Sequence, residues 1–260
     1  MVPRNRKLEK INKQNSTELE NLIYGIRPIH EAIKEGKIPE KVLFQQGPSG
    51  DNFKSLFHLI RKLNIPFQMV PIEKLNKISK GNHQGVIAFL PLINYITVEE
   101  LIKNITKTDD IPLIIILDKV TDIRNLGAIA RSAECAGAHG IIIQEKGSAP
   151  INAEAIKTSA GALSRMPVCR EKDLMETIEF LRLCEISIIA CTEKAPGTIY
   201  SEDLTKPVAI IMGSEDKGIS PYILKLVDSK ASIPMKGKTA SLNVSVAAGI
   251  VLFEVNRQRL

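Results

Sequence analysis

The strongest constraint on the fold is the alternation of short apolar runs with helix-like segments after residue 112. The runs LIIILD (113–118) and VAIIMG (208–213) are almost wholly apolar, as in parallel strands that are covered on both faces. GIIIQ, MPVCR, SIIACT and KASIPM read as further strands. Helices are predicted around Leu126 to Ala136 and over 151–165, 173–185 and 219–228. The pattern predicts an α/β fold with a parallel sheet, whose ligands bind beyond the carboxyl ends of the strands.

The composition excludes some classes of protein. No apolar run approaches the ~20 residues of a membrane-spanning helix, and the N-terminus does not resemble a signal peptide. The four cysteines have no CxxC or Cys/His ligand spacing, which predicts buried thiols in a reducing cytosol and no metal site. A formal charge of +6 permits an acidic partner such as RNA, although many soluble proteins are this basic.

The sequence before residue 92 predicts a basic arm followed by a smaller unit. Residues 1–22 are rich in Lys and Arg and predict a flexible basic arm, which either contacts phosphates or only aids solubility. Residues 23–91 alternate strands with helices and predict a small α/β domain. In it, His83 and Gln84 beside glycines could face a nucleotide or simply cap a loop. A short helix and a polar run over 92–111 predict a linker to a second domain, residues 112–260.

Three loops after predicted strands carry the candidate site residues. The first contains Asn125 and Arg131 and has no GxGxxG pattern, which disfavours a dinucleotide site. The second contains Gly213 and Glu215, where a glycine would let a ligand approach the backbone. The third, SLNVS (241–245), begins the last helix, and the free N–H groups of a helix start suit a polar ligand or an anion. Each loop alone also fits an ordinary turn, helix cap or solvated side chain.

Together, the segments LDKVTDIRNLGAIARSAECAG, IIMGSEDKGIS and IPMKGKTASLNVSVAAGIVLFEVNRQR resemble, in order and spacing, the three motifs of the SpoU (TrmH-like) RNA ribose 2′-O-methyltransferases. This resemblance covers residues 113–260. The segment from YGIRPIHEAIKEG to NHQGVIAFLP resembles the substrate-binding domain of that family, which has a ribosomal-protein-like fold. That domain is typical of the bacterial enzymes that methylate a guanosine of 23S ribosomal RNA.

The resemblance implies S-adenosylmethionine as cofactor, a deep trefoil knot in the parallel-sheet domain, a homodimer and a cytoplasmic enzyme. The positions that match the family's cofactor-binding residues are Gly213, Ile233 and Leu242. The positions that match its catalytic cluster are Asn125, Arg131, Glu215, Ser241 and Asn243.

The roles of the charged residues follow from their chemistry. A guanidinium has a pKa above ~12, so Arg131 is predicted to anchor a phosphate and activate the ribose oxygen rather than to accept its proton. Glu215 is expected to orient Asn125 or the substrate, or to act as the base, and Ser241 and Asn243 to fix the hydroxyl and backbone.

Two alternatives stay open. One is a tRNA (guanosine-2′-O-)-methyltransferase or a drug-resistance ribose methyltransferase of the same superfamily, and the other is an RNA-binding homologue without activity. Intact Arg131, Glu215 and Asn243 argue against the second.

Overall fold

A computed structural model describes residues 21–47, 50–239 and 241–260, which form two compact units that divide between Leu92 and Ile93. Nearly all of the predicted basic arm, residues 1–20, lies outside the described residues. Its last residue, Leu22, begins the first strand, so the folded part starts before the predicted boundary.

The first unit is a four-stranded sheet with helices. Its strands lie in the order β1-β4-β2-β3, with β2 and β3 parallel and the other pairs antiparallel. The aromatic rings of Phe44, Phe53 and Phe57 pack in its core. The elements are β1 (Leu22–Tyr24), α1 (Ile26–Lys34), β2 (Lys41–Gln45), α2 (Asp51–Lys62), β3 (Phe67–Val70), α3 (Ile72–Ile78) and β4 (Val86–Phe89).

His83 and Gln84 support the loop of the first unit. His83 is buried, its Nε2 hydrogen-bonds Asn76 Oδ1 at 2.8 Å, and its Nδ1 accepts from the Gly85 N–H at 3.1 Å. The Gln84 side chain accepts from the Ile26 N–H at 3.1 Å at the start of α1. Both side chains therefore cap a loop or a helix start. Of the two predicted roles, nucleotide contact and loop capping, the structure shows loop capping.

The second unit contains one eight-stranded sheet in the order β10-β12-β9-β11-β6-β7-β8-β5. Every strand pair in it is parallel, so the predicted parallel α/β fold is confirmed. Its elements are β5 (Tyr95–Ile96), α4 (Val98–Ile105), β6 (Leu113–Asp118), α5 (Ile123–Cys135), β7 (Gly140–Gln144), α6 (Ala153–Thr158), α7 (Ala162–Arg165), β8 (Val168–Glu171), α8 (Leu174–Leu183), β9 (Ser187–Cys191), β10 (Gly197–Thr198), β11 (Val208–Gly213), β12 (Ser229–Ser232) and α9 (Val244–Arg259).

Helices cover both faces of this sheet. In β6, Leu113, Ile115 and Leu117 belong to the core cluster that includes α5 and α9, whereas Ile114 and Ile116 belong to the cluster with α4 and α8. Two covered faces explain why the strand reads as an unbroken apolar run. Within the described residues, no helix is both long and apolar enough to cross a membrane.

Three sequence-based expectations differ from the structure. Residues 92–111 are not a free linker, because β5 pairs with β8 and the apolar stripe of α4 is buried in the second core. The predicted helix over 219–228 is only a 3-10 turn, Ile223–Lys225. The N–H groups near its two ends are bonded to the sheet instead, that of Ser220 to Asp118 and that of Asp228 to the Ile188 carbonyl. The predicted helix over 151–165 breaks into α6 and α7 where Ala160 and Gly161 adopt positive φ angles of 51° and 84°.

The last helix, α9, is fixed at its end by Arg259. The guanidinium of Arg259 donates to four backbone carbonyls, which belong to Ile111, Pro112, Leu204 and Lys206. These carbonyls precede β6 and β11, the two central strands. The C-terminal turn is thereby tied to the amino edge of the sheet, while the start of α9 lies at the carboxyl edge.

Candidate active site

A cavity of about 190 Å³ lies at the carboxyl ends of β9, β11 and β12. Residues 191–194 at the end of β9 and residues 212–218 at the end of β11 line it. The remaining lining comes from Ile233, Met235, Ser241, Leu242, Val244 and Ala247. All three predicted cofactor-binding residues and two of the predicted catalytic residues are among its lining: Gly213, Ile233, Leu242, Glu215 and Ser241.

Gly213 is needed by the loop itself. A Cβ at this position would overlap the carbonyl carbon of Gly218 and the backbone nitrogen of Ile219. The loop closes on itself, because Ser214 and Gly218 exchange backbone hydrogen bonds of 3.1 and 2.9 Å. From the sequence, ligand approach is the predicted reason for this glycine, and the tight return of the chain is a second reason.

The first and third motifs meet through two asparagines. Asp122 caps α5 by accepting from the N–H groups of Arg124 and Asn125 at 2.7 and 3.0 Å. Asn243 caps α9, with its Oδ1 accepting from the Ser245 N–H at 2.9 Å. The Nδ2 group of Asn243 donates to Asn125 Oδ1 at 3.1 Å. Asn243 therefore serves as a helix cap and also joins the two motifs.

The two charged residues of the predicted cluster have exposed side chains. Arg131 lies on α5, six positions after Asn125, and Glu215 lies in the loop after β11. Within the described ranges, neither side chain has a hydrogen-bond or ion-pair partner. The neighbouring Arg124 differs, because its Nε lies 3.8 Å from Glu154 Oε1. Both Arg131 and Glu215 are thus available to a ligand.

The segment 191–194 is a part of the cavity that the sequence does not predict. Burial raises the pKa of the Cys191 thiol to about 11, with a smaller contribution from Glu193, so the thiol is neutral at neutral pH. Cys191 therefore contributes an uncharged surface to the cavity. The signal for this segment is the position of β9 between β11 and β12, which the order of strands along the sequence does not reveal.

The groups around the cavity suit an organic ligand with polar and apolar parts. Apolar side chains come from Met212, Ile233 and Leu242, and polar backbone comes from the closed loop after β11. Among the residues that the structure describes, no group of three or more His, Cys, Asp or Glu residues could hold a metal ion.

Comparisons with known families agree with the two-unit division. Residues 112–253 match the model of the SpoU rRNA Methylase family. Residues 22–96 match a model described as RNA 2′-O ribose methyltransferase substrate binding.

Individual proteins are similar over most of the chain. The 23S rRNA (guanosine-2′-O-)-methyltransferase RlmB of Blochmanniella floridana is 37% identical over 248 residues, which cover 93% of this chain and 96% of that protein. The crystal structure of the SpoU methyltransferase AviRb from Streptomyces viridochromogenes with AdoMet aligns with a TM-score of 0.60 at 25% identity, over 95% of this chain and 97% of that one. The TrmH/SpoU tRNA modifying enzyme of A. aeolicus aligns with 62% of this chain and 84% of its own, with a TM-score of 0.54 at 28% identity.

Proposed function

The chain belongs to the SpoU rRNA methylase family, and from this membership we propose that it transfers a methyl group from S-adenosylmethionine to a ribose 2′-hydroxyl of RNA. The observation that supports the site most directly is the cavity at the carboxyl ends of β9, β11 and β12. It brings the cofactor-binding candidates Gly213, Ile233 and Leu242 together with Glu215 and Ser241.

The proposed substrate is a guanosine of 23S ribosomal RNA. The relative RlmB, a 23S rRNA (guanosine-2′-O-)-methyltransferase, is similar over nearly the whole chain. The first unit matches the substrate-binding family model. The tRNA modifying enzyme of A. aeolicus, in contrast, aligns with only 62% of this chain. A tRNA substrate is therefore the second candidate. With either substrate, we propose a cytoplasmic enzyme.

Different residues of the cavity would contact different parts of the cofactor. S-adenosylmethionine would supply a methyl group that is activated by its bond to a positively charged sulfur. Ile233 and Leu242 offer apolar surface to the adenosine part, and the neutral Cys191 adds to that surface. The closed loop after β11 offers backbone groups at a position where Gly213 carries no side chain.

The predicted catalytic residues would handle the ribose hydroxyl. Because a guanidinium is a planar cation with several N–H donors, we assign Arg131 to hold a phosphate of the RNA and to stabilise the charge that develops on the ribose oxygen. Asn125 and Asn243, joined at 3.1 Å, would position the ribose together with Ser241. Glu215 lines the cavity and would orient the hydroxyl or accept its proton.

These two roles of Glu215 are separable. A Glu215→Gln side chain keeps an oxygen that can orient a hydroxyl, but it is a far weaker proton acceptor. Retained activity in Glu215→Gln supports the orienting role, and loss of activity with unchanged cofactor affinity supports proton acceptance.

A homodimer is proposed on the basis of α9. The inner face of this helix packs against α5 and β11, while its outer face exposes Val246 and Phe253, each at 50%. Two apolar side chains that are half exposed on one helix face mark a candidate interaction surface, and a second copy of this chain is proposed to cover them.

The proposed knot draws support from the path of the C-terminal segment. After β12, near one edge of the sheet, the chain lines the cavity and continues into α9, which packs on α5 beside the central strands. The hydrogen bonds of Arg259 then hold the end of α9 at the amino edge of the sheet. A chain that threads through a loop on this path would hold the cavity walls together.

A methylation assay tests the proposed function. Purified protein with labelled S-adenosylmethionine should modify 23S ribosomal RNA and leave tRNA unlabelled. Transfer to tRNA only would favour the second candidate. Cofactor binding by calorimetry without transfer to either RNA would indicate a homologue that has lost activity.

Deleting residues 1–92 tests whether the first unit selects the RNA. The remaining unit has its own core and all cavity residues, so it should bind the cofactor. It should no longer select its RNA. RNA binding by the full chain should weaken steeply as the salt concentration rises, because the bound protein displaces counterions from the phosphates. Undiminished methylation of the same nucleotide by the truncated protein would contradict this role.

A further inference from the structure

Asp118, the last residue of β6, carries a fully buried carboxylate at the carboxyl edge of the sheet. Its Oδ2 accepts a hydrogen bond from the backbone N–H of Ser220. Its Oδ1 has no hydrogen-bond partner among the described residues. Burying a carboxylate destabilises a fold unless hydrogen bonds compensate, so this residue needs an explanation beyond packing.

The next residue, Lys119, binds the same serine. Its Nζ donates to Ser220 Oγ at 3.1 Å and lies 5.4 Å from the centre of the Tyr222 ring. Its φ angle of 58° lies in the left-handed region, which residues other than glycine rarely adopt. Asp118 and Lys119 therefore hold Ser220 through its backbone and its side chain at once.

Ser220 is the point where the loop after β11 returns to the sheet. We call residues 214–219 the β11 loop. Gly213, which precedes it, pairs with Asp118 in the β6–β11 ladder. The β11 loop contributes residues 214–218 to the cavity wall, including Glu215. The loop thus leaves the sheet beside Asp118 and returns to a residue that Asp118 and Lys119 bind.

We propose that Asp118 and Lys119 are positioning residues of the methyl-transfer site, which hold the β11 loop against the cavity through Ser220. The proposal rests on the proposed function, because the ligand of this cavity is taken to be S-adenosylmethionine. Neither residue needs to touch the cofactor. Their effect passes through the backbone of the loop and through the placement of Glu215.

A double-mutant cycle on Lys119 and Ser220 tests the proposal. Lys119→Met removes the ammonium but keeps most of the side chain, and Ser220→Ala removes the hydroxyl but keeps the N–H that Asp118 binds. Each single variant should weaken S-adenosylmethionine binding about fivefold, the effect of one hydrogen bond, as measured by calorimetry. The double variant should be no weaker than the single ones. Losses that multiply, or affinities equal to wild type, would overturn the proposal.

Two further variants separate positioning from general stability. Tyr222→Phe keeps the ring next to Lys119 and serves as the matched control. This variant should bind the cofactor within about twofold of wild type, the effect expected of a contact that contributes little. Lys119→Met should raise the KM for S-adenosylmethionine and leave the KM for RNA unchanged. A lower melting temperature with an unchanged KM for the cofactor would mean that Lys119 only stabilises the fold.

The conservative variant of Asp118 provides a rescue test. Asp118→Asn keeps an oxygen that can accept from the Ser220 N–H, so it should bind the cofactor more tightly than Asp118→Ala. Equal affinities of these two variants would count against a role for that bond. If Asp118→Ala does not fold, the cycle on Lys119 and Ser220 still decides. A wild-type protein that does not bind S-adenosylmethionine would overturn the proposed function instead.

Discussion

The side-chain amide of Asn243 donates a hydrogen bond to Asn125 Oδ1 at 3.1 Å across a separation of 118 positions in the sequence. The same Asn243 side chain caps α9 with its oxygen. One residue therefore sets the start of the last helix and joins it to the start of α5. This arrangement places the first and third motifs at the same edge of the sheet.

The two functions of Asn243 can be separated by substitution. Asn243→Ser keeps a capping oxygen but loses the longer side chain and the amide N–H that reaches Asn125 Oδ1. We therefore expect near wild-type stability and a large loss of methyl transfer. Asn152→Ala is the matched control, because Asn152 caps α6 by accepting from Ala155 N–H at 3.0 Å. It should cost about 1 kcal/mol of stability and leave the rate unchanged. Thermal melts and a methylation assay check both; an active Asn243→Ser enzyme would contradict the role of the bond.

Arg131→Ala should abolish methyl transfer and leave cofactor affinity largely intact. Arg131 is not part of the cavity lining, and its exposed guanidinium is proposed to contact the RNA. Arg124→Ala provides the control, since Arg124 is an exposed arginine of the same helix and lies near Glu154. We expect that variant to keep most of its activity. A full-rate Arg131→Ala enzyme would refute the assignment.

Cofactor binding should stabilise the folded chain measurably. A ligand that binds only the folded form adds RT ln(1 + [L]/Kd), about 2.7 kcal/mol at a hundredfold excess over Kd. Leu242→Asp would place a charge in the cavity wall and should lose the thermal shift with S-adenosylmethionine. Lys238→Ala changes an exposed residue that does not line the cavity, and this variant should keep the shift. A full shift in Leu242→Asp would mean that the cofactor binds elsewhere.

The proposed dimer depends on the outer face of α9. Phe253→Asp should convert the dimer to a monomer in light scattering, because it places a charge where an apolar side chain is expected to be buried. Leu183→Asp is the control: Leu183 is 84% exposed at the end of α8 and should not affect assembly. A wild-type protein that is monomeric at micromolar concentration would contradict the dimer.

Features with a local cause could be predicted from the sequence. β6 and β11 are predicted as buried strands because each is apolar along almost its whole length. Asn243 is predicted as a helix start because it precedes an apolar helix. Features that depend on the order of the strands in the sheet could not be predicted. Residues 191–194 line the cavity because β9 lies between β11 and β12.

The segment before β6 shows a second limit of sequence reading. The polar run after α4 suggested a linker, but the helix itself buries Val98, Leu101 and Ile105 against the sheet. A short apolar stripe of this kind has no visible partner until the sheet is known. The hydrogen bonds of Asp118 and Lys119 to Ser220 were likewise invisible, since they join residues about a hundred positions apart.

The most direct test of the central claim is a map of ribose methylation in 23S ribosomal RNA from cells with and without the gene. The account predicts that one guanosine loses its 2′-O-methyl group in the deletion strain. Wild-type protein should restore the methyl group, whereas Arg131→Ala protein, expressed at the same level, should not. An unchanged methylation map in the deletion strain, or full restoration by Arg131→Ala, would contradict it.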